Sequence, residues 1–305
     1  GPLIVAYWKP GSCYNSKNYS QNIELSVDPP AASGMMVSGA PSGDLDFLVP
    51  VGDMASGTTA ASLFKSRTTL NVQLTYTGRS NVVIASDDPN LIFGVDDSTL
   101  LTVSSSGEVT ANARGIIGTA VVTVGYSGQN VTKTVSIRII KFDRLEVKAF
   151  PEPTYVGATA INQLSVIACA VPQQSQQAKV EVTMILTDPT KTSVVSSHPD
   201  TSITLTDSTQ APSDVLTQNN LVLTRTLESA AASVSVIAWF KKMVFSTPLV
   251  IEIVDAKVRL TSLYNLKLAG TMSDGATLTG ASGTAGQWSF GGQFDDGRKY
   301  NSLMK

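Results

Sequence analysis

An all-β chain of tandem sandwich domains is what this sequence predicts, and three observations carry the prediction. Apolar and polar residues alternate with period two in many short runs, while helix periodicity is almost absent. One alternating phrase occurs three times along the chain. Turn chemistry, drawn from 23 Gly and 14 Pro, separates the runs at the spacing of sandwich strands, roughly every 8–12 residues.

The recurring phrase reads Ile4-Val5-Ala6-Tyr7-Trp8-Lys9, then Val122-Thr123-Val124-Gly125-Tyr126-Ser127, then Val236-Ile237-Ala238-Trp239-Phe240-Lys241. Each copy leads through a polar hairpin into a second alternating run: Ile23–Val27, Val135–Ile139 and Leu249–Ile253. The second and third copies align without a gap, and the first has the longer hairpin. A repeat of this size denotes an array of similar domains rather than one large globule. The inward faces are Ile4, Ala6, Trp8; Val122, Val124, Tyr126; and Val236, Ala238, Phe240. In the second runs they are Ile23, Leu25, Val27; Val135, Ile137, Ile139; and Leu249, Ile251, Ile253. Intervening residues such as Glu24, Ser136, Arg138 and Glu252 are expected to face outward. A one-residue slip would invert every face, so the register is well specified.

Earlier strands follow the same logic at Leu70–Tyr76, Leu91–Val95, Leu100–Val103, Glu108–Ala111 and Lys179–Leu186. Near the end, Gln287–Phe290 and Gln293-Phe294 precede Asp296-Gly297, a strong hairpin signal. The chain is therefore expected to divide into 1–30, the closing hairpin of a preceding unit; 31–141 and 142–255, two whole units; and 256–305, the start of another. The junctions at Phe142–Leu145 and Val254–Val258 leave almost no linker, which favours a rod-like array over a flexible string. Starting and stopping within units, the sequence reads as a section of a longer polypeptide.

Composition excludes several roles. With 15% charged residues and a formal net charge of −2, the chain offers no basic surface for nucleic acid or an anionic membrane. Its apolar runs, such as Val234–Phe240, are too short to span a bilayer, so no membrane insertion is expected in this segment. The two cysteines, Cys13 and Cys169, fall in different units. Cys13 is open to pairing with a part of its own unit outside this segment, and Cys169 reads as a small buried apolar side chain, so a disulfide and free thiols both stay open.

Ser98–Ala111, with its Val103…Ser106-Gly107-Glu108-Val109-Thr110-Ala111 hairpin, leads into Gly118-Thr119-Ala120-Val121-Val122-Thr123-Val124. This pattern resembles the bacterial-type immunoglobulin-like domain of group 2 over about residues 70–140; Gly107 would allow the tight turn before the next strand. The unit at 142–255 lacks counterparts of Gly107 and Gly118, and joins the resemblance only through the internal repeat. The resemblance implies an immunoglobulin-like β-sandwich, a fold found in bacterial adhesins, a nuclear-pore glycoprotein and mastigoneme-like surface proteins. It fixes no activity.

Two N-glycosylation sequons, Asn18-Tyr19-Ser20 and Asn130-Val131-Thr132, occupy the same hairpin of consecutive units, where a glycan is sterically free. If used, they place the chain in a eukaryotic secretory pathway. The single histidine sits in Ser196-Ser197-His198-Pro199-Asp200, too close in sequence to its neighbours for a catalytic triad, and reads as a solvated loop residue. One His and two distant Cys make no zinc site. Asp87-Asp88, Asp96-Asp97, Asp295-Asp296 and the junction residues Asp28, Asp143 and Asp255 have oxygen ligands for calcium but no recurring ligand spacing, and read as turn carboxylates. Trp8, Tyr126, Trp239, Phe240 and Trp288 fit core or domain contacts better than a sugar platform.

No catalytic residue, cofactor site or metal motif is therefore expected. The sequence predicts a non-catalytic segment of an extracellular or cell-surface filament, with copies of itself or other filament subunits as partners and glycans as a further class. Two rivals stay open: an adhesin stalk that binds a host protein or glycan, and the accessory region of a surface enzyme.

Overall fold

The computed structural model describes residues 3–8, 19–24, 31–39, 46–57, 63–113, 115–168, 174–226, 230–268 and 288–304. Every regular element among them is a strand. In chain order the first eleven are β1 (Leu3–Trp8), β2 (Tyr19–Glu24), β3 (Gly34–Gly39), β4 (Phe47–Leu48), β5 (Arg67–Thr75), β6 (Val82–Ile84), β7 (Leu91–Val95), β8 (Leu101–Val103), β9 (Glu108–Ala111), β10 (Gly118–Tyr126) and β11 (Val131–Ile139). Then follow β12 (Phe142–Glu152), β13 (Gln163–Ile167), β14 (Gln174–Ser175), β15 (Gln177–Leu186), β16 (Thr192–Val194), β17 (Thr201–Thr206), β18 (Leu216–Asn219) and β19 (Val222–Arg225). The last six are β20 (Ala232–Phe240), β21 (Val244–Phe245), β22 (Leu249–Val258), β23 (Leu260–Leu268), β24 (Trp288–Phe294) and β25 (Lys299–Met304). The chain forms two compact units: Gly1–Asp46, Thr68–Val109 and Ala120–Ile137 make the first, and Phe47–Arg67, Thr110–Thr119 and Arg138–Lys305 the second.

In the first unit, β1 and β2 form an antiparallel hairpin with Ile4 opposite Ile23. One sheet runs β3-β5-β9-β8 with β6 also on β5, and another contains β11, β10 and β7. Alternation dictates which side chains go inside. Leu70, Val72 and Leu74 of β5 are buried, as are Val122 and Val124 of β10 and Ile137 of β11. Gly107 turns β8 into β9 with φ 74°, and its Cα lies against the Phe93 ring, where an added Cβ would come within 2.8 Å.

The second unit contains a complete two-sheet sandwich. One sheet runs β12-β15-β19-β18 with β16 on β15; the other runs β14-β13-β22-β20-β17 with β21 on β20. A single core joins them: Leu145, Val147, Val180, Val182 and Met184 from the first sheet, and Val234, Val236, Ala238, Phe240, Ile251 and Ile253 from the second. Val236 stands opposite Leu249, as Ile4 stands opposite Ile23, so the repeated phrase keeps its register in both copies. Arg225 of β19, only 4% exposed, ties the sheets by donating to the Val254 carbonyl at 2.7 Å and to Asp255 Oδ1 at 2.6 Å. A further antiparallel sheet, β23-β24-β25, follows β22 after the single residue Arg259.

Candidate functional site

The second unit holds two places where one strand passes almost directly into another, and both are built alike. At the first, β11 reaches β12 through Ile140 and Lys141. Lys141 N–H donates to Thr187 Oγ1 at 3.2 Å, and the Lys141 carbonyl accepts from Thr187 N–H at 2.9 Å. At the second, β22 reaches β23 through Arg259. Arg259 N–H donates to Asp295 Oδ1, and its carbonyl accepts from Asp295 N–H, both at 2.9 Å. In each case the partner residue lies just past the end of the strand paired with the new one, β15 or β24, and a turn closed by Leu186 N–H to Lys191 O or Phe294 N–H to Arg298 O follows. Both polar groups of the linking residue are thus satisfied within the sheet that follows, whose ladder they extend by one residue.

Each joint also carries an ionic clasp. Arg138, one residue before the end of β11, donates from Nη1 to Asp188 Oδ2 at 2.7 Å, while Asp188 Oδ1 accepts from Thr190 N–H and Oγ1. The Thr190 hydroxyl, followed by the Arg138 guanidinium, holds the Asp188 carboxyl down at about 2. Asp53 Oδ1 takes the Phe142 amide at 3.0 Å, and Lys191 Nζ lies 5.2 Å from the Phe47 ring centroid. At the second joint, fully buried Gln176 accepts from Ser165 N–H and from Arg298, and donates through Nε2 to Asp296 Oδ2 at 2.8 Å. Ile167 packs on Val258 and Phe294 below.

Alternation places Arg138 outward, and its side chain stays partly exposed, while turn chemistry reads Asp296 as a solvated carboxylate; the sequence carries no sign of their long-range partners, Asp188 and Gln176. Asp255, considered for calcium, is held by Arg225. Asp97, like Asp188 and Asp207, caps a turn by accepting from the threonine two residues on, and Thr99 and Thr209 lower the carboxyls of Asp97 and Asp207. Among the described residues no three His, Cys, Asp or Glu side chains gather as a metal-binding group. His198 is a correction: its side chain is 9% exposed, not solvated, because the ring packs on Phe240 at 5.0 Å between centroids. Trp239 stacks on Phe245 at 5.3 Å and donates from Nε1 to Thr204 Oγ1, and Phe240 is in the core.

Asn130 is exposed at the tip between β10 and β11 with φ 49°. Its neighbours fix the tip: Gln129 Oε1 accepts from Ala32 N–H at 2.8 Å, and Tyr126 donates its hydroxyl to Asp88 Oδ2 at 3.2 Å, with burial raising the phenol's pKa. Asn18, Cys13, Cys169 and Asp28 lie outside the described residues, as do the side chains of Trp8 and Trp288. No helix among the described residues is long and apolar enough to cross a membrane.

Sheet after sheet, the described chain is an all-β protein of sandwich units. No family model and no curated protein matches it. Among solved structures it is similar to domains 1–6 of the surface layer protein SbsC, with TM-score 0.42 and 14% identity over 97% of this chain and 35% of that one. It is also similar to SbsC domains 4 and 5, with TM-score 0.40 and 15% identity over 73% of this chain and 99% of that one. Extracellular domains 3–5 of Drosophila OTK give TM-score 0.19 and 12% identity over 61% and 70%. The chain spans about a third of the length of the SbsC structure of domains 1–6.

Proposed function

We propose that this chain is a non-catalytic segment of a long extracellular or cell-surface protein, whose tandem immunoglobulin-like sandwiches, related to the bacterial-type group 2 domain, build a filament with copies of itself or other subunits. The doubled joint carries the reading. A spacer must pass bending and tension along its chain, and a linking residue with both polar groups bonded into the following sheet leaves no slack segment before that sheet begins. Repeating that arrangement at Lys141 and Arg259 is what an array needs and a lone binding domain does not. The outer positions of β6 and β7, with Val83 and Ile92 exposed at 68% and 59%, suit lateral strand-to-strand packing. Exposed Asn130 fits the use of its sequon and so a glycosylated fibre.

Electron microscopy of the native full-length protein, with intact-glycopeptide mass spectrometry on the same sample, tests this. Ordered filaments carrying glycan at Asn130 are expected. Dispersed single particles at every concentration would sink the filament reading, and unmodified Asn130 would remove the glycoprotein part of it.

A further inference from the structure

A groove of about 1010 Å³ opens in the second unit where β15 changes partners. Gln177–Lys179 of β15 pair with β19, and Thr183–Ile185 with β16, so the strands neighbouring β15 part around Val180–Val182. Val180 and Leu221 line the groove at this parting. The loop after β12 contributes Tyr155, the β16–β17 connection contributes Ser197, and the β18–β19 turn contributes Asn220. That turn is strained: Asn220 and Leu221 hold φ 46° and 66°, a region in which a leucine is seldom found.

The groove has hydrogen-bonding capacity that the fold does not use. Among the described residues the side chains of Gln218, Asn220, Ser197 and Ser202 make no hydrogen bond to protein, and all four line it. Its charges offset, with one Lys179 and one Glu181, so it selects for no net charge. Tyr155 and Phe150 bring aromatic residues to its lining. An extended peptide finds no free edge on β15 at this parting: Val180 N–H donates to the Leu221 carbonyl, Val182 N–H to Ser196 Oγ, and the Val182 carbonyl accepts from Val195 N–H. The volume falls at the upper end of small-ligand sites, about 300–1,000 Å³.

We propose that this groove binds a short, neutral oligosaccharide. Planar amides and hydroxyls match the paired hydroxyls of a pyranose, and Tyr155 covers an apolar sugar face. This goes beyond the structural role and stands or falls apart from it, since a filament segment with or without the site assembles alike.

The test is a titration of the whole chain with maltotriose, cellotriose and tri-N-acetylchitotriose in turn, followed by amide NMR. Saturable shifts around Tyr155 and Asn220 are expected, with affinity on the order of millimolar. Tyr155→Ala should weaken binding about tenfold or more. Asn220→Gly relieves the strained turn while removing one amide, so it keeps the fold and still weakens binding several-fold. Absence of shifts with all three sugars overturns the proposal. So does unaltered affinity in both variants, or saturable binding of a Ser/Thr-rich peptide at the same residues in place of the sugars.

Discussion

Gln176 and Asp296 stand 120 residues apart in the chain, yet the buried Gln176 amide donates to the Asp296 carboxylate at 2.8 Å. The same side chain accepts from the Ser165 backbone at 3.1 Å, so one glutamine serves both the sandwich and the sheet that follows it. Gln176→Leu would strip partners from a buried amide N–H and a carboxylate together. A loss of about 1–3 kcal/mol is expected, the cost of leaving buried polar groups unpaired. Urea unfolding gives the total, and hydrogen exchange should quicken in Lys299–Met304. Unchanged exchange there would mean that the joint does not depend on this clasp.

The other clasp predicts a pH dependence. Asp188 falls from an ordinary 3.8 to about 2 in the folded chain. Between those values the unfolded chain binds more protons than the folded one, so stability falls as pH falls. The contribution is complete above about 4 and gone below about 2. Asp188→Asn should therefore lie below the wild type at neutral pH and converge on it through that window, read as urea midpoints at low salt. A gap that stays constant across the window would remove Asp188 as its source.

How far the sequence carries depends on range. Burial of Val122, Val124, Val236, Ala238 and Phe240 follows from alternation alone, because a strand's faces are set by its own residues. Gln176 gave no such signal. It lies among Gln173, Gln174 and Gln177, a run that reads as a polar connection, and it is buried because Ser165 and the Asp296–Arg298 turn come to it. His198 is similar, since Phe240, far off in the chain, packs on its ring. One signal was available: aligning the turns after Leu186 and Phe294 matches Asp188 with Asp296, the two carboxylates of the clasps. The groove was not legible, because it arises where β15 changes partners rather than from any motif.

Gly107 and Gly78 both hold positive φ, 74° and 71°, but only Gly107 has a neighbour in the way. Gly78→Ala meets open space and should cost about 1 kcal/mol from backbone strain alone. Gly107→Ala adds a clash with the Phe93 ring, so it should cost more, on the order of 2–3 kcal/mol. Matched denaturation curves compare them directly. Equal losses would mean that Phe93 moves aside without cost.

Phe240 and Trp239 adjoin in β20 but face opposite ways. Phe240 is fully buried against the His198 ring, while Trp239 is half-buried and stacks on Phe245 across the hairpin. Phe240→Ala should cost about 3–5 kcal/mol, the range for emptying a buried aromatic site. Trp239→Ala should cost about 1 kcal/mol, close to that of an exposed cross-strand pair. The size of the difference matters because the register is shared: a slip of one residue would bury Trp239 and expose Phe240, reversing the order. Ile4 opposite Ile23 and Val236 opposite Leu249 set the same register in two copies of the phrase. Equilibrium unfolding of the two variants thus tests the frame on which the repeat is read, and a larger loss at Trp239 would overturn it.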